Sequence, residues 1–230
     1  MSIVTINGET GSGGQEIGQA VANLLGADYV DREILAEAAN RTGSTVEALV
    51  EKEEQRLRLG DRLSRFLQRL LEKSAIGGAG DVAFGTGMDI LLGKEYADMI
   101  SEPINRTQEL DDRRFIEVTT QVIHHLYQSG NTVIIGRASN IVLKDMPRVL
   151  HVGLVAPLSD RIKVLADREQ ITLENSVKLM EEREKARVEF FRKFFKVRPS
   201  DPIYYHIVLN TAILKPDVAA SIIVEATKSI

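Results

Sequence analysis

The chain has 230 residues, 43% hydrophobic and 27% charged, with a formal net charge of −4. That balance is ordinary for a folded globular chain and argues against a dominant nucleic-acid-binding surface. It contains no cysteine, which excludes disulfides and thiol chemistry and fits a reducing compartment.

The length accommodates one α/β domain with insertions. No apolar run approaches the ~18 residues of a membrane span, and Met1-Ser2-Ile3 leads directly into a strand. The chain therefore reads as cytoplasmic, with no membrane and no nucleic-acid partner.

The β-prone run Ile3-Val4-Thr5-Ile6 opens into a loop with glycines at 8, 11, 13 and 14. Ile17, Ala20, Val21, Leu24 and Leu25 then mark one face of a helix. Strand, glycine loop and helix make a phosphate cradle, in which amides and the helix N-terminus face an anion. In the pattern G-x-x-x-x-G-K-[ST], Gly8 and Gly13 fill the glycine positions, while Gly14 replaces the lysine and Gln15 the hydroxyl. The backbone half of the motif is present and its side-chain half is missing. Two other readings stand beside it. One is a dinucleotide turn begun by Gly11-Ser12-Gly13, with Asp31 on a ribose, although Glu16 occupies its third glycine position. The other is a plain turn.

Gly26 stops the helix. Ala27 to Val30 reads as a strand, and Asp31-Arg32 opens a helix carrying Ile34, Leu35 and Ala38, a spacing that implies a parallel sheet. Asp31 and Arg32 fall at a strand's carboxyl end, where open α/β sheets take ligands. As an N-cap and a solvated side chain, the two need no ligand.

Residues 43–110 read as a helical insertion. It would either cover a substrate or form a homo-oligomer contact. Within it, helices are expected over about 45–57 and along the Leu59 to Leu71 stripe. The glycine-rich segment 77–87 reads as a mobile connection, with a second anion loop as the alternative. The clearest helix covers 111–129, its face marked by Phe115, Val118, Thr119, Val122, Ile123, Leu126 and Tyr127. His124 and His125 point about 100° apart on a helix and cannot share a metal. No histidine pair has metal-ligand spacing.

Thr132 to Ile135 is a buried strand ending in Gly136-Arg137, an arginine placed to hold a phosphate bidentately. Val149 to Ala156 is a further apolar strand, as a parallel sheet covered on both faces demands. Pro157-Leu158-Ser159 opens a helix bearing Arg161 and Arg168, and a second runs from about Thr172 toward Lys196. From Arg183 to Arg198, seven basic residues face two acidic ones, and Arg183 and Arg187 are i,i+4 neighbours able to act on one anion. Phe190, Phe191, Phe194 and Phe195 interleave them. That mixture suits RNA, or more simply a phenylalanine core with a substrate-facing basic side. Tyr204 to Thr211 reads as the last strand, and Pro216-Asp217 starts a closing helix.

Three ordered blocks resemble the cytidylate kinase-like family, a branch of the P-loop nucleoside monophosphate kinases. The first joins Ile6–Gly14 to Tyr29–Glu33. The second is Val133–Leu143. The third takes Leu154–Pro157 with Arg161, then Glu184–Arg187, then Tyr205–Thr211. The resemblance implies a P-loop three-layer αβα fold. Its sheet would have five parallel strands, with a monophosphate-binding insertion at 43–110 and an arginine-bearing lid at 157–200. It implies a kinase that uses ATP and Mg²⁺ to phosphorylate CMP, dCMP or a related small-molecule nucleotide. Under it, Gly8, Gly11, Ser12, Gly13, Gly14 and Gln15 hold ATP, with Mg²⁺ near Ser12. Arg32, Asp31 and Arg137 belong to the acceptor site, and Arg161, Arg183 and Arg187 are the lid arginines. Ala138 stands where orthodox members carry a base-reading aspartate, and Glu184 where they carry a lid aspartate. The alternative is a nucleotide-binding regulatory protein with weak or no transfer.

Overall fold

A computed structural model describes residues 3–35, 65–69, 95–100 and 106–230. Five strands form one all-parallel sheet: β1 (Ile3–Gly8), β2 (Asp28–Val30), β3 (Thr132–Ile135), β4 (Val149–Val155) and β5 (Ile207–Asn210). Their order is β2-β3-β1-β4-β5. β1 therefore lies between β3, Val4 opposite Val133, and β4, Val4 opposite Leu150. The chain changes direction across the sheet at β1, so a crevice opens past its carboxyl end.

Helix α1 (Gly14–Leu25) and the closing helix α5 (Pro216–Ala226) share an apolar cluster with one sheet face, through Ile17, Val21, Ala219, Ala220 and Ile223. The long α2 (Arg106–Ser129) begins earlier than its apolar stripe indicates, and packs Val118, Val122, Ile123 and Leu126 with Ile3, Ile134 and Val149. Helices α3 (Leu158–Glu169) and α4 (Leu173–Phe190) form an antiparallel arm. Thr172 caps α4, its hydroxyl accepting the Asn175 amide.

Beyond Phe190 the expected straight helix gives way to a π-turn, Phe191–Phe195. The wider turn lets Phe190, Phe191, Phe194 and Phe195 enter one cluster with Phe115 and Ala138. Phe115, Phe190 and Phe191 are fully buried and Phe194 and Phe195 partly so; full burial of one such ring is worth roughly 2–3 kcal/mol, which offsets the local cost of the turn. The last strand is shorter than the expected Tyr204–Thr211: Tyr204 ends a 3₁₀ turn, Pro202–Tyr204, and the strand itself runs Ile207–Asn210.

The expected helix over 45–57 and the 77–87 glycine segment lie outside the described residues. Of the Leu59 to Leu71 stripe, residues 65–69 are helical, with Leu67 fully buried and Phe66 stacked on His125 at 3.9 Å. Among the described residues, no helix is long and apolar enough to cross a membrane.

Candidate functional site

The loop after β1 closes through its own backbone. The Ser12 amide donates to the Glu9 carbonyl at 3.0 Å, and the Glu9 amide to Leu154 at 3.2 Å. Thr211, just past β5, donates its hydroxyl to the Ser12 carbonyl at 3.0 Å. Gly11 and Gly13 are left-handed, at φ 80° and 81°. A Cβ on Gly11 would come within 2.6 Å of the Arg161 carbonyl, so both conformation and space demand glycine there. Alternating hands turn successive amides inward, and Gly13 hands the chain to α1, whose first amides have no intrahelical partner. The cradle fits a polyphosphate. It lines a cavity of about 450 Å³.

Four elements bring side chains to that cavity. The loop supplies Gly8 through Gln15, and the end of β2 supplies Asp31 and Arg32. The end of β3 supplies Gly136 and Arg137, and the α3–α4 arm supplies Arg168, Arg183 and Arg187. The structure thus gathers every expected site residue into one space except Arg161.

Arg161 is buried behind the loop. Its Nε donates to Ala156 O at 3.0 Å and its Nη1 to Thr10 O at 3.4 Å. It also pairs with Glu9 at 3.4 Å. Its place is that of a brace for the cradle. Asp31 lines the cavity but is fully engaged. Its Oδ1 accepts the Glu33 and Ile34 amides, both at 3.0 Å, and its Oδ2 accepts the Tyr29 hydroxyl at 2.9 Å. It is the N-cap of the following turn.

Arg137 is 5% exposed, with its guanidinium 5.3 Å from the Phe115 ring centre. Burial pulls its pKa down to about 10, the neighbouring Arg32 adding to the effect, so it remains cationic at neutral pH. Gly136, Arg137 and Ala138 are all left-handed. The Tyr96 hydroxyl accepts the Arg137 amide at 3.0 Å and helps hold this strained turn. Ala138 points into the phenylalanine cluster and not into the cavity.

Carboxylates hold three of the other cations. Arg32 donates to Glu95 at 2.6 Å, and Arg183 donates to Glu169 at 2.7 Å and to Glu95 at 3.4 Å. Arg187 donates to both Glu184 oxygens, the shortest contact 2.6 Å. Burial alone would raise the Glu95 and Glu184 carboxyls. The arginine hydrogen bonds and charges outweigh it, and both end below the usual carboxylate range. Arg183 holds Glu169 low as well. Glu95, Tyr96 and Glu169 carry no motif in the sequence and were not legible as site residues. Only the fold reveals them.

A divalent cation finds no dedicated ligand set: no cluster of three acidic or histidine side chains suits a metal among the described residues. Gln15, in the hydroxyl position, gives its oxygen to Arg168 at 3.1 Å. Mg²⁺ reaching such a site would be carried mostly by phosphate oxygens and water.

An all-parallel sheet with a glycine cradle at the end of its central strand defines a P-loop α/β fold. The chain belongs to the cytidylate kinase-like family, whose model matches residues 3–213. It is 31% identical over 106 residues to a cytidylate kinase of Thermococcus kodakarensis, covering 46% of this chain and 50% of that one. Against a cytidylate kinase of Methanopyrus kandleri it is 25% identical over 151 residues, covering 62% and 72%. The match thus spans only about half the length of the first relative. A crystal structure of an uncharacterised protein from Eubacterium ventriosum shares the fold over 100% of both chains, with a TM-score of 0.57 at 16% identity.

Proposed function

We propose that the protein is an ATP-dependent nucleoside monophosphate kinase acting on CMP, dCMP or a related monophosphate. The observation that carries this reading is the convergence on one cavity of the amide cradle, Arg32 and Arg137 from two strand ends, and Arg183 and Arg187 from α4. Phosphoryl transfer asks mainly for positioning and charge neutralisation, and these are the groups that supply both. The γ-phosphoryl group leaves the β,γ-bridging oxygen of ATP and bonds to a phosphate oxygen of the acceptor, giving ADP and a nucleoside diphosphate. Mg²⁺ bound with the nucleotide spreads the phosphate charge.

In this reading the amides of residues 11–15, with Ser12 among them, hold the donor phosphates. Arg137 and Arg32 hold the acceptor phosphate, and residues 157–200 act as a lid whose Arg183 and Arg187 turn from their carboxylates to the transferred group. Arg161 supports the loop from behind.

Turnover of ATP against a panel of nucleoside and deoxynucleoside monophosphates tests the proposal. Saturable ADP formation with one acceptor supports it, and Arg137→Ala should then raise the KM for that acceptor at least tenfold. The absence of a lysine at Gly14 favours a second reading, a nucleotide-binding regulator. ATP binding with no turnover on any acceptor would decide for it.

A further inference from the structure

The loop lacks the ammonium group that P-loops place beside the β- and γ-phosphates. Nothing in the local packing forces that lack. A Cβ on Gly14 would meet no heavy atom closer than Leu154 Cδ1 at 3.9 Å and Ile135 Cγ2 at 4.0 Å, which is ordinary contact. The position has room for a Cβ, and the missing charge has to come from elsewhere in the cavity.

Arg168 occupies the last turn of α3 and lines the cavity. Its Nη1 donates to Gln15 Oε1 at 3.1 Å. Gln15 stands where the motif puts the hydroxyl that faces the phosphates and their metal. The amide of Gln15 thus holds a guanidinium at the mouth of the cradle.

Three of the other cavity arginines are differently occupied. Arg32, Arg183 and Arg187 each have a carboxylate oxygen at 2.6–2.7 Å. The nearest carboxylate contact of Arg168 is Glu169 at 3.5 Å, and its hydrogen bond goes to a neutral amide. Of these four, Arg168 has the least to give up when an anion arrives. Its fork also suits phosphate oxygens in a way that a lysine point charge does not.

Resting on the kinase reading above, we propose that Arg168, held by Gln15, supplies to the donor β- and γ-phosphates the positive charge that Gly14 cannot. The charge moves from the loop to α3, and the phosphate grip then depends on the position of the α3–α4 arm.

The test is ATP binding by calorimetry, with turnover alongside, for the parent, Arg168→Ala, Arg168→Lys, Gly14→Lys and the Gly14→Lys/Arg168→Ala double variant. Arg168→Ala is expected to weaken ATP binding at least tenfold and to lower kcat/KM on the order of 10²-fold. Arg168→Lys should fall between. In the Gly14→Lys background the Arg168→Ala loss should shrink to a few-fold, because the restored lysine takes over. Arg168 is exposed and so is its hydrogen bond to Gln15, so unchanged thermal melting is expected and separates binding from folding. Unaltered ATP affinity in Arg168→Ala overturns the inference alone, as does an equal loss in both backgrounds. A parent chain that binds no ATP overturns the kinase reading itself, and this inference with it.

Discussion

The Thr10 amide donates to Glu184 Oε2 across 3.3 Å, so the cradle and α4 share one carboxylate. The same side chain pairs with Arg187 at 2.6 Å, and Arg161 Nη1 lies 3.9 Å from it. Removing that carboxylate takes from the buried Arg187 the carboxylate it pairs with, while Arg161 keeps Glu9. Breaking a buried pair on one side costs about 3 kcal/mol or more. Glu184→Ala should therefore lower unfolding stability by roughly that amount in urea denaturation. Glu184→Gln, which keeps an acceptor for Thr10, should lose less. Equal stabilities of parent and Glu184→Ala would show that the shared carboxylate contributes little.

The glycines of the loop separate into those the backbone needs and one it does not. Gly11→Ala forces a Cβ to within 2.6 Å of a fixed carbonyl at φ 80°. It should destabilise the fold by about 1–2 kcal/mol or more and weaken ATP binding beyond tenfold. Gly14→Ala meets only ordinary contacts and sits at the start of a helix, so its melting temperature should match the parent or exceed it slightly. A thermal melt of both variants checks the contrast.

The sheet and the cradle were legible because their signals are local. Runs such as Val133-Ile134-Ile135, short, β-branched and bounded by Gly130 and Gly136, read as buried strands, and closely spaced glycines mark a loop that needs left-handed turns. Arg161 shows where such reading stops. Helical spacing puts it on a face, but only the packed arm shows that this face meets Thr10 and Ala156 and not the cavity. Glu95 and Glu169 were silent for a related reason. An acidic residue gains meaning from the arginine it meets, and those arginines lie 88 and 14 positions away in sequence. The π-turn after Phe190 was hidden because it answers a tertiary demand of the phenylalanine cluster, not a propensity.

A buried histidine, His151, packed against the exposed His206, makes stability depend on pH. His151 Nδ1 lies 2.8 Å from Thr5 Oγ1, and the His151 amide donates to His206 Nδ1 at 3.1 Å. Burial, helped by His206, pulls the His151 pKa from the ordinary 6.5 down to about 4. The unfolded chain therefore binds the extra proton first. Stability from this group is full above about pH 6.5 and is lost as pH falls toward 4. The loss is at most about 3 kcal/mol. The depressed Glu95 and Glu184 carboxyls act lower, below their ordinary 4.5, so the window between belongs to histidine. Urea midpoints should fall from pH 6.5 to 4.5 in the parent and fall less steeply in His151→Gln. Parallel slopes would remove His151 as the cause.

Glu95 ties Arg32, at a strand end, to Arg183, on α4, at 2.6 Å and 3.4 Å. A phosphate entering between them competes with a carboxylate that is already ionised, because the same arginines hold its pKa low. Exchanging one anion for another returns only the difference between two charge-assisted contacts. In Glu95→Gln the competitor loses its charge while its shape and hydrogen-bonding oxygen remain. Acceptor monophosphate should then bind several-fold tighter, seen as a lower KM in the turnover assay. The gain should shrink with added salt, which screens the half-exposed pair. A raised KM would assign Glu95 the opposite part, that of a fixed post positioning Arg32 and Arg183 for the acceptor.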